Sequence, residues 1–332
     1  MPPRPALPLA GLGRVPAARR LAQHQRAHST APAAQPPKLT SPDAARAYCL
    51  SLLQRSDFAS SLLTPLQHPL ARDAHLAIRA FNVDIAAVDG SVSNVTVGKM
   101  RMQFWRDAVA ATFAGQRPPA EPVAVLLAKV LHSDGAPLSK SWFARVISAR
   151  EQYLGSAPFP SIDALESYAE NTYGSLHYLA LESVHQHSAT LDHIGSHVGK
   201  AEGIAAVLRG IPLLATSGTG GVVLPLDVCA EHNLRQEDVL RMGGNAPGLK
   251  DAVFKVATLA NDHLITARKM LEDSKGEGKQ ASAFATFLPA VPTSLYLQRL
   301  EKADFDPFSP SLMKRAWTLP WRLYRAVSHK QF

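Results

Sequence analysis

The sequence predicts an all-α fold, built as one helical domain over residues 41–332. Apolar residues recur every three or four positions, as at 249, 253, 256, 260, 264, 267 and 271, which is the period of a half-buried helix. Short breakers separate such segments, and we find neither an alternating strand pattern nor a repeat of fixed length. With 332 residues, 46% of them hydrophobic, the chain can bury a sizeable core.

The first helix is predicted to begin just after Ser41. Ser41 is a suitable N-cap, Pro42 fits the first helical turn, and the carboxylate of Asp43 complements the helix dipole. The segment AARAYCLSLLQRS follows, with its apolar residues on one face.

Later helices are bounded by short glycine- and proline-containing segments that interrupt helical periodicity. These breakers lie at 115–122, 132–137, 155–160, 216–221, 243–248 and 275–279. None is long or biased enough to serve as a domain linker, so the residues after 40 are expected to form a single domain.

Residues 1–40 have a different composition. They contain five arginines, one lysine and many Ala and Pro residues, but no Asp or Glu. This is typical of a mitochondrial transit peptide, with a cleavage region near Ser29 and Thr30, although a disordered basic tail has the same composition. Cleavage after Ser29 removes five arginines and no acid, which lowers the net charge from +8 to about +3.

Composition also excludes several classes of protein. The two cysteines, Cys49 and Cys229, are too few for a disulfide framework or a cysteine-based metal site and are compatible with a reducing compartment. No run of about 18 uncharged apolar residues predicts a membrane-spanning helix. The small charge of the mature chain and the lack of interleaved basic and aromatic residues argue against nucleic-acid binding.

Two acidic residues in the segment IRAFNVDIAAVDG, 78–90, raise the question of a metal site. Asp84 and Asp89 are five positions apart, which separates them by about 140° around a helix axis. A shared ligand site is favoured by a spacing of four. The pair is therefore interpreted as two solvated or locally paired acids.

The order of several segments resembles the squalene/phytoene synthase family. The segments are IRAFNVDIAAVDG, MRMQFWRDAV (100–109), YAENTYGSLHYLALESV (168–184), VGKAEGIAAVLRG (198–210) and VVLPLDVCAEHNL (222–234). The resemblance implies an isoprenoid-synthase-like helical bundle. In that family two Asp-rich boxes on facing helices hold Mg²⁺, which clamps a prenyl diphosphate, and Mg²⁺ requires such oxygen ligands.

This chain departs from the family pattern at both boxes. In the first box Asp89 matches the last acid, whereas Ile85 stands at the first. In the second box Leu208 and Arg209 match the pattern, but Gly210 and Leu214 stand where acids are expected. The stretch LRGIPLLATSGTGGVVLP, 208–225, contains no carboxylate at all.

These departures predict a pseudoenzyme with no catalytic residue, no cofactor and no metal site. A vestigial pocket is expected where the active site would be, with Asp89 as its remaining acid and with Arg79, Arg101 and Arg209 as basic neighbours. The pocket is expected either to hold a lipid or isoprenoid or to be packed core.

A narrower resemblance is to a non-catalytic branch of the same family, the assembly factors of mitochondrial complex I. It is carried by FNVDIAAVDGSVSN, GKMRMQFWRDAV and KADFDPFSPSL and by the missing acids. The resemblance implies a protein on the matrix side of the inner membrane, peripheral to it, with complex I subunits or other assembly factors as partners. The alternative left open is an isoprenoid diphosphate transferase whose metal ligands have been displaced.

Two further patterns have ordinary structural explanations. His193 and His197 have a zinc-ligand spacing, but a third ligand is not evident, so ordinary core or surface histidines are favoured. The tail LMKRAWTLPWRLYRAVSHKQF mixes aromatic and basic residues in a way that suits a membrane interface with anionic lipid. A last core helix with an exposed basic edge explains the tail as well, and Pro320 is expected to interrupt the pattern.

Overall fold

The computed structural model describes residues 41–92, 94–216 and 223–332, and within these ranges it contains helices and no strand. The predicted transit peptide, residues 1–40, lies outside the described residues. The helices are α1 Pro42–Ser56, α2 Phe58–Leu63, α3 Arg72–Ser91, α4 Val95–Phe113, α5 Pro122–His132, α6 Lys140–Gln152, α7 Ile162–Ala169, α8 Ser175–Ser183, α9 Ala189–Thr216, α10 Leu226–Glu231, α11 Gln236–Met242, α12 Leu249–Asp273, α13 Ala281–Phe287, α14 Ala290–Lys302, α15 Pro310–Met313 and α16 Leu319–His329. The predicted all-α fold is confirmed.

Local signals in the sequence explain where helices begin. The Ser41 hydroxyl accepts a hydrogen bond from the backbone N–H of Ala44 at 3.2 Å, so α1 has the predicted N-cap. In α12 all seven positions of the predicted apolar stripe are buried. Pro320 does not interrupt the C-terminal pattern as expected; it lies in the first turn of α16, where its missing N–H costs no helical hydrogen bond.

The breakers also lie between helices. Five of them fall in the connections that flank α5, α6, α7, α12 and α13, whereas most of the sixth, 217–221, lies outside the described residues. Across the residues that the structure describes, no helix is long and apolar enough to cross a membrane.

Helix α9 is the central element, since it packs against α7, α8, α12 and α14. A π-helical turn, Glu170–Gly174, joins α7 to α8 and passes very close to α9. A Cβ atom added at Gly199 would lie 2.5 Å from the Cα and N atoms of Gly174, and one at Gly203 would lie 2.6 Å from the Cβ of Ala169. Only glycine at these positions allows the two backbones to approach so closely.

The buried apolar side chains form two clusters. One is built from α1, α3, α4, α5, α6 and α8, with Phe81 and Phe143 among its fully buried members. The other is built around α9 and α12 and includes α13 and α14, with Phe284 and Phe287 at its centre. Helices α3 and α8 meet α9 and α13 where the two clusters adjoin, so side chains at that junction decide how the clusters fit together.

We expect Gly199→Ala to destabilise the fold by about 1–3 kcal/mol, because the new methyl group overlaps backbone atoms that cannot move independently. Gly210→Ala is the matched control on the same helix, since its nearest neighbour would be a Leu214 methyl at 4.0 Å. There the higher helix propensity of alanine should stabilise the protein by up to about 1 kcal/mol. Chemical denaturation of both variants measures the difference, and equal effects at the two positions would contradict it.

Candidate functional site

A cavity of about 280 Å³ lies between α3, α4, α6, the α7–α8 segment and the second half of α9. Its walls are mainly apolar and aromatic. The lining residues are Ile85, Ala86, Asp89, Met102, Arg150, Tyr153, Leu154, Ser156, Phe159, Tyr168, Tyr173, Gly203, Ala206, Val207, Gly210, Leu213, Leu214 and Val223. The cavity thus lies between α3 and α9, the two helices on which the family resemblance places the boxes.

The box positions open onto this cavity. Ile85 is fully buried in its wall, and Gly210 and Leu214 lie opposite on α9. None of these three side chains has an oxygen atom that could bind a cation. Among the described lining residues, Asp89 is the one carboxylate.

Asp89 is engaged in holding a turn. Its Oδ1 accepts a hydrogen bond from the backbone N–H of Gly155 at 2.6 Å, and its Oδ2 accepts one from the Ser156 hydroxyl at 2.8 Å. Gly155 and Ser156 both have positive φ angles, 87° and 54°, which is uncommon for serine. The two hydrogen bonds therefore stabilise the turn after α6, in which Ser156 has an unfavourable φ angle, and connect it to the end of α3.

Asp84 faces away from the cavity, as the five-residue spacing predicted. Burial, followed by the nearby Glu121 carboxylate, raises the pKa of Asp84 to about 7. Asp84 is not among the lining residues, so it cannot bind a metal ion in the cavity together with Asp89.

The donor set of the cavity does not suit Mg²⁺. This ion needs near-octahedral oxygen coordination, usually with more than one carboxylate or phosphate group. Here Ile85, Gly210 and Leu214 offer no ligand, and both oxygens of Asp89 already accept hydrogen bonds from the turn. Over the described part of the chain, no group of three or more His, Cys, Asp or Glu side chains is placed to hold a metal ion.

The cation that lines the cavity is Arg150, which sequence reasoning missed. Its Nη1 donates a hydrogen bond to the Tyr168 hydroxyl at 3.0 Å and its Nη2 donates one to Asn82 Oδ1 at 2.6 Å. The guanidinium also lies 5.9 Å from the ring centroid of Tyr168 and 5.8 Å from that of Tyr173. No local motif marks Arg150, because its partners come from positions far away along the chain.

Arg79, expected beside the pocket, is placed in the core instead. Its Nη1 and Nη2 donate hydrogen bonds to the two carboxylate oxygens of Glu202 on α9, at 2.5 and 3.3 Å. His177 Nε2 lies 3.1 Å from Glu202 Oε2, and His177 Nδ1 lies 3.0 Å from the carbonyl oxygen of Thr286. The network joins α3, α8, α9 and α13 where the two apolar clusters adjoin.

The charges in this network depend on one another. Burial by itself raises the pKa of Glu202, but the charge of Arg79 and the hydrogen bond from His177 lower that pKa to about 2. Both ring nitrogens of His177 face oxygen acceptors, and the side chain is fully buried. A ring N–H of His177 therefore donates to Glu202 or to the Thr286 carbonyl, and the tautomer decides which of the two.

The other two expected arginines also lie outside the cavity lining. Arg101 is exposed on α4 and donates a hydrogen bond to the Ser91 hydroxyl at 2.7 Å. Arg209 is exposed on α9, with its guanidinium 5.4 Å from the ring centroid of Tyr296. Arg209 is next to Gly210 along α9, but its side chain is not among those that line the cavity.

The two spaced histidines do not act as a pair. His193 is exposed, whereas His197 Nδ1 lies 2.9 Å from Nδ1 of His263 on α12. One of these nitrogens donates and the other accepts. The contact joins α9 to α12 and explains His197 as a packing residue.

Comparisons with known proteins agree with the sequence resemblance. The squalene/phytoene synthase family model matches residues 53–325. A relative from Mus musculus, named NADH dehydrogenase (ubiquinone) complex I, assembly factor 6, is 40% identical over 285 residues, covering 86% of this chain and 82% of that protein. The relative of the same name from Homo sapiens is 38% identical over 277 residues, covering 83% of this chain and 80% of that protein.

Solved structures share the helical fold. A dehydrosqualene synthase in complex with ligand has a TM-score of 0.68 at 16% identity and covers 87% of this chain and 97% of its own. Squalene synthase HpnC from Alicyclobacillus acidocaldarius has a TM-score of 0.65 at 13% identity, and the match covers 80% of this chain and 97% of that structure. At these identities the likeness concerns the fold, and it confirms the isoprenoid-synthase-like bundle.

We expect Asp89→Ala to destabilise the protein by about 1–2 kcal/mol, because the Gly155 N–H and the Ser156 hydroxyl lose their acceptor at a strained turn. Asp107→Ala is the control, since that exposed carboxylate accepts a bond from Gln103 one helical turn away. Thermal unfolding of both variants makes the comparison. A neutral effect of Asp89→Ala would contradict a structural role for this carboxylate.

We expect Glu202→Gln to destabilise the protein by about 3–5 kcal/mol at pH 7, because Arg79 is left buried without an opposite charge. The folded-state pKa of Glu202, about 2, lies below its ordinary value of 4.5. The stabilisation is therefore complete above about pH 4.5 and is lost as the pH falls towards 2. Urea unfolding of both proteins from pH 7 to about pH 3 should show the difference shrinking with acid, and a constant difference would contradict this account.

Proposed function

This chain belongs to the squalene/phytoene synthase family, and we propose that it acts as a non-catalytic assembly factor for mitochondrial complex I. The observation that carries the proposal is the state of the cavity. Asp89, the one carboxylate among the described lining residues, accepts two hydrogen bonds from a turn. Ile85, Gly210 and Leu214 stand where the family resemblance places acids. The fold is kept while the residues that bind the metal are absent.

The chemistry of prenyl transfer supports this reading. Departure of a diphosphate group from a prenyl chain develops negative charge on the leaving oxygens, which a metal ion or a cluster of cations must stabilise. Arg150 is the one arginine among the described lining residues, and both of its Nη atoms are occupied by Tyr168 and Asn82. Among the described lining residues, the cavity therefore offers one carboxylate, which is already hydrogen-bonded, and a single arginine rather than a cluster of cations.

The relatives' names support the assembly role. Proteins called complex I assembly factor 6 are similar to this chain over more than four fifths of its length, at 38–41% identity in mammals. A fold that many functions share does not itself specify a role, so the proposal depends on these relatives together with the altered cavity.

For the location, we propose the matrix side of the mitochondrial inner membrane. The acid-free composition of residues 1–40 supports import through a cleaved leader, with the mature chain beginning near residue 30. The partners would be complex I subunits or other assembly factors.

The cavity itself is proposed to hold the apolar chain of a lipid or isoprenoid. Its walls are built from aliphatic side chains and from Tyr153, Phe159, Tyr168 and Tyr173. Its volume of about 280 Å³ is close to the lower end of the range for small-molecule pockets. Such a ligand would be bound without being converted.

We expect the purified protein to give no turnover with farnesyl or geranylgeranyl diphosphate in the presence of Mg²⁺, with an active synthase of the family measured in parallel. Loss of the protein from cells should reduce assembled complex I, and the wild-type chain should restore it. Asp89→Ala should restore complex I in proportion to the amount of folded protein that remains. Turnover that requires Asp89 would instead establish the transferase alternative with displaced metal ligands.

A further inference from the structure

Helix α16 has one face in the core and one in solvent. Leu319, Leu323 and Ala326 are buried against the apolar cluster around α9 and α12. The opposite side presents Trp321, Tyr324, Arg325 and Ser328, at spacings of three, four and seven residues. Because the inner face anchors the helix, its outer face is held in a fixed orientation.

Large aromatic side chains are exposed on this outer face. Trp321 and Tyr324 are each 62% exposed, and their rings stack with centroids 5.7 Å apart. Trp317, just before the helix, is 88% exposed. We call Trp317, Trp321, Tyr324 and Arg325 the C-terminal face. Aromatic rings with a polar edge are favoured where an apolar phase meets water.

The charge around the C-terminal face is of one sign. Residues 307–332 contain no Asp or Glu. The cations in this segment are Lys314, Arg315, Arg322, Arg325 and Lys330. The acids that precede it are engaged elsewhere: Asp304 pairs with Lys250, and Asp306 accepts a hydrogen bond from the backbone N–H of Phe308.

Some of these cations have partners within the protein, and others do not. Arg315 lies 4.1 Å from the ring centroid of Phe58, Arg322 donates to Gln298 at 2.8 Å, and Lys330 lies 5.3 Å from the ring centroid of Phe284. Within the described residues, the exposed side chains of Lys314 and Arg325 make no hydrogen bond or ion pair. Their charges are available to an external anionic group.

From this arrangement we propose that the C-terminal face docks the protein onto a bilayer containing anionic phospholipid. The aromatic side chains would lie at headgroup depth, where Trp and Tyr are enriched in membrane-bound proteins. The cations would lie over the negative headgroups, each strengthening binding by electrostatic attraction. A segment whose charged side chains are all basic complements a negatively charged surface.

The proposal rests on the proposed function only for the identity of the membrane, the inner membrane of mitochondria. Binding to vesicles requires neither complex I nor any partner subunit. Failure of the docking proposal can therefore be distinguished from failure of the assembly role.

The test uses the proposed mature chain, from residue 30 onward, because the five arginines before it would themselves attract anionic vesicles. The vesicles contain phosphatidylcholine alone or phosphatidylcholine with phosphatidylglycerol, and co-sedimentation measures binding. The wild-type protein should bind the anionic vesicles at least about tenfold more tightly than the neutral ones, and added salt should weaken that binding. Because Trp317 and Trp321 would enter the interface, tryptophan emission should shift to shorter wavelength with the anionic vesicles alone.

The double variant Trp321→Ser with Arg325→Glu should lower binding to anionic vesicles by about tenfold or more. A matched control replaces an exposed aromatic and an exposed cation elsewhere, Phe104→Ser with Arg117→Glu. The control should bind as the wild type does. Circular dichroism and thermal unfolding of both variants verify that each is folded.

Two results would overturn the proposal. One is a wild-type chain that does not distinguish anionic from neutral vesicles. The other is a folded Trp321→Ser, Arg325→Glu variant that binds anionic vesicles as tightly as the control does. If the double variant loses complex I assembly in cells while vesicle binding is unchanged, the C-terminal face contacts a protein, and the assembly role stands without membrane docking.

Discussion

The buried carboxylate of Glu202 is the constraint on which the arrangement of the helices depends. It lies on the central helix α9 and is bound from one side by Arg79 on α3 and from the other by His177 on α8, which also reaches Thr286 on α13. In a low-dielectric interior, a buried charge that loses one of its partners is costly. The four helices are therefore favoured in the one relative position in which all these contacts form. The same position brings Gly199 and Gly203 against the π-helical turn, where no side chain fits.

The charged groups at the cavity are arranged differently from those in the core. Two boxes of acids facing one another repel unless cations lie between them. Here Ile85 and Leu214 carry no charge, and both oxygens of Asp89 accept hydrogen bonds, from Gly155 and Ser156. The buried ion pair of Arg79 and Glu202 lies in the core, away from the cavity lining, whereas less buried pairs such as Arg106–Glu151 and Lys200–Glu166 join other helices.

The cavity and the C-terminal face are consistent with a protein that binds rather than reacts. The cavity offers mainly apolar and aromatic walls, which suit an apolar ligand, and one arginine, Arg150, whose Nη atoms are hydrogen-bonded to Tyr168 and Asn82. Helix α16 is anchored by Leu319, Leu323 and Ala326 and presents aromatic and basic groups outward. Both features use the helical scaffold to position a surface.

The sequence by itself determined the helical class, the N-cap at Ser41, the buried stripe of α12 and the presence of Ile85, Gly210 and Leu214 at positions without a carboxylate. Each of these is written in local spacing or in the identity of a single residue, because helix periodicity and capping act over a few positions. Only the tertiary structure decided what the charged side chains do. Arg79 meets Glu202 across 123 residues, and Arg150 meets Asn82 across 68. Pairings at such separations depend on how the helices pack, and no local pattern specifies them. For that reason the sequence predicted Arg79, Arg101 and Arg209 beside the cavity, where none of them lies, and did not predict Arg150, which lines it.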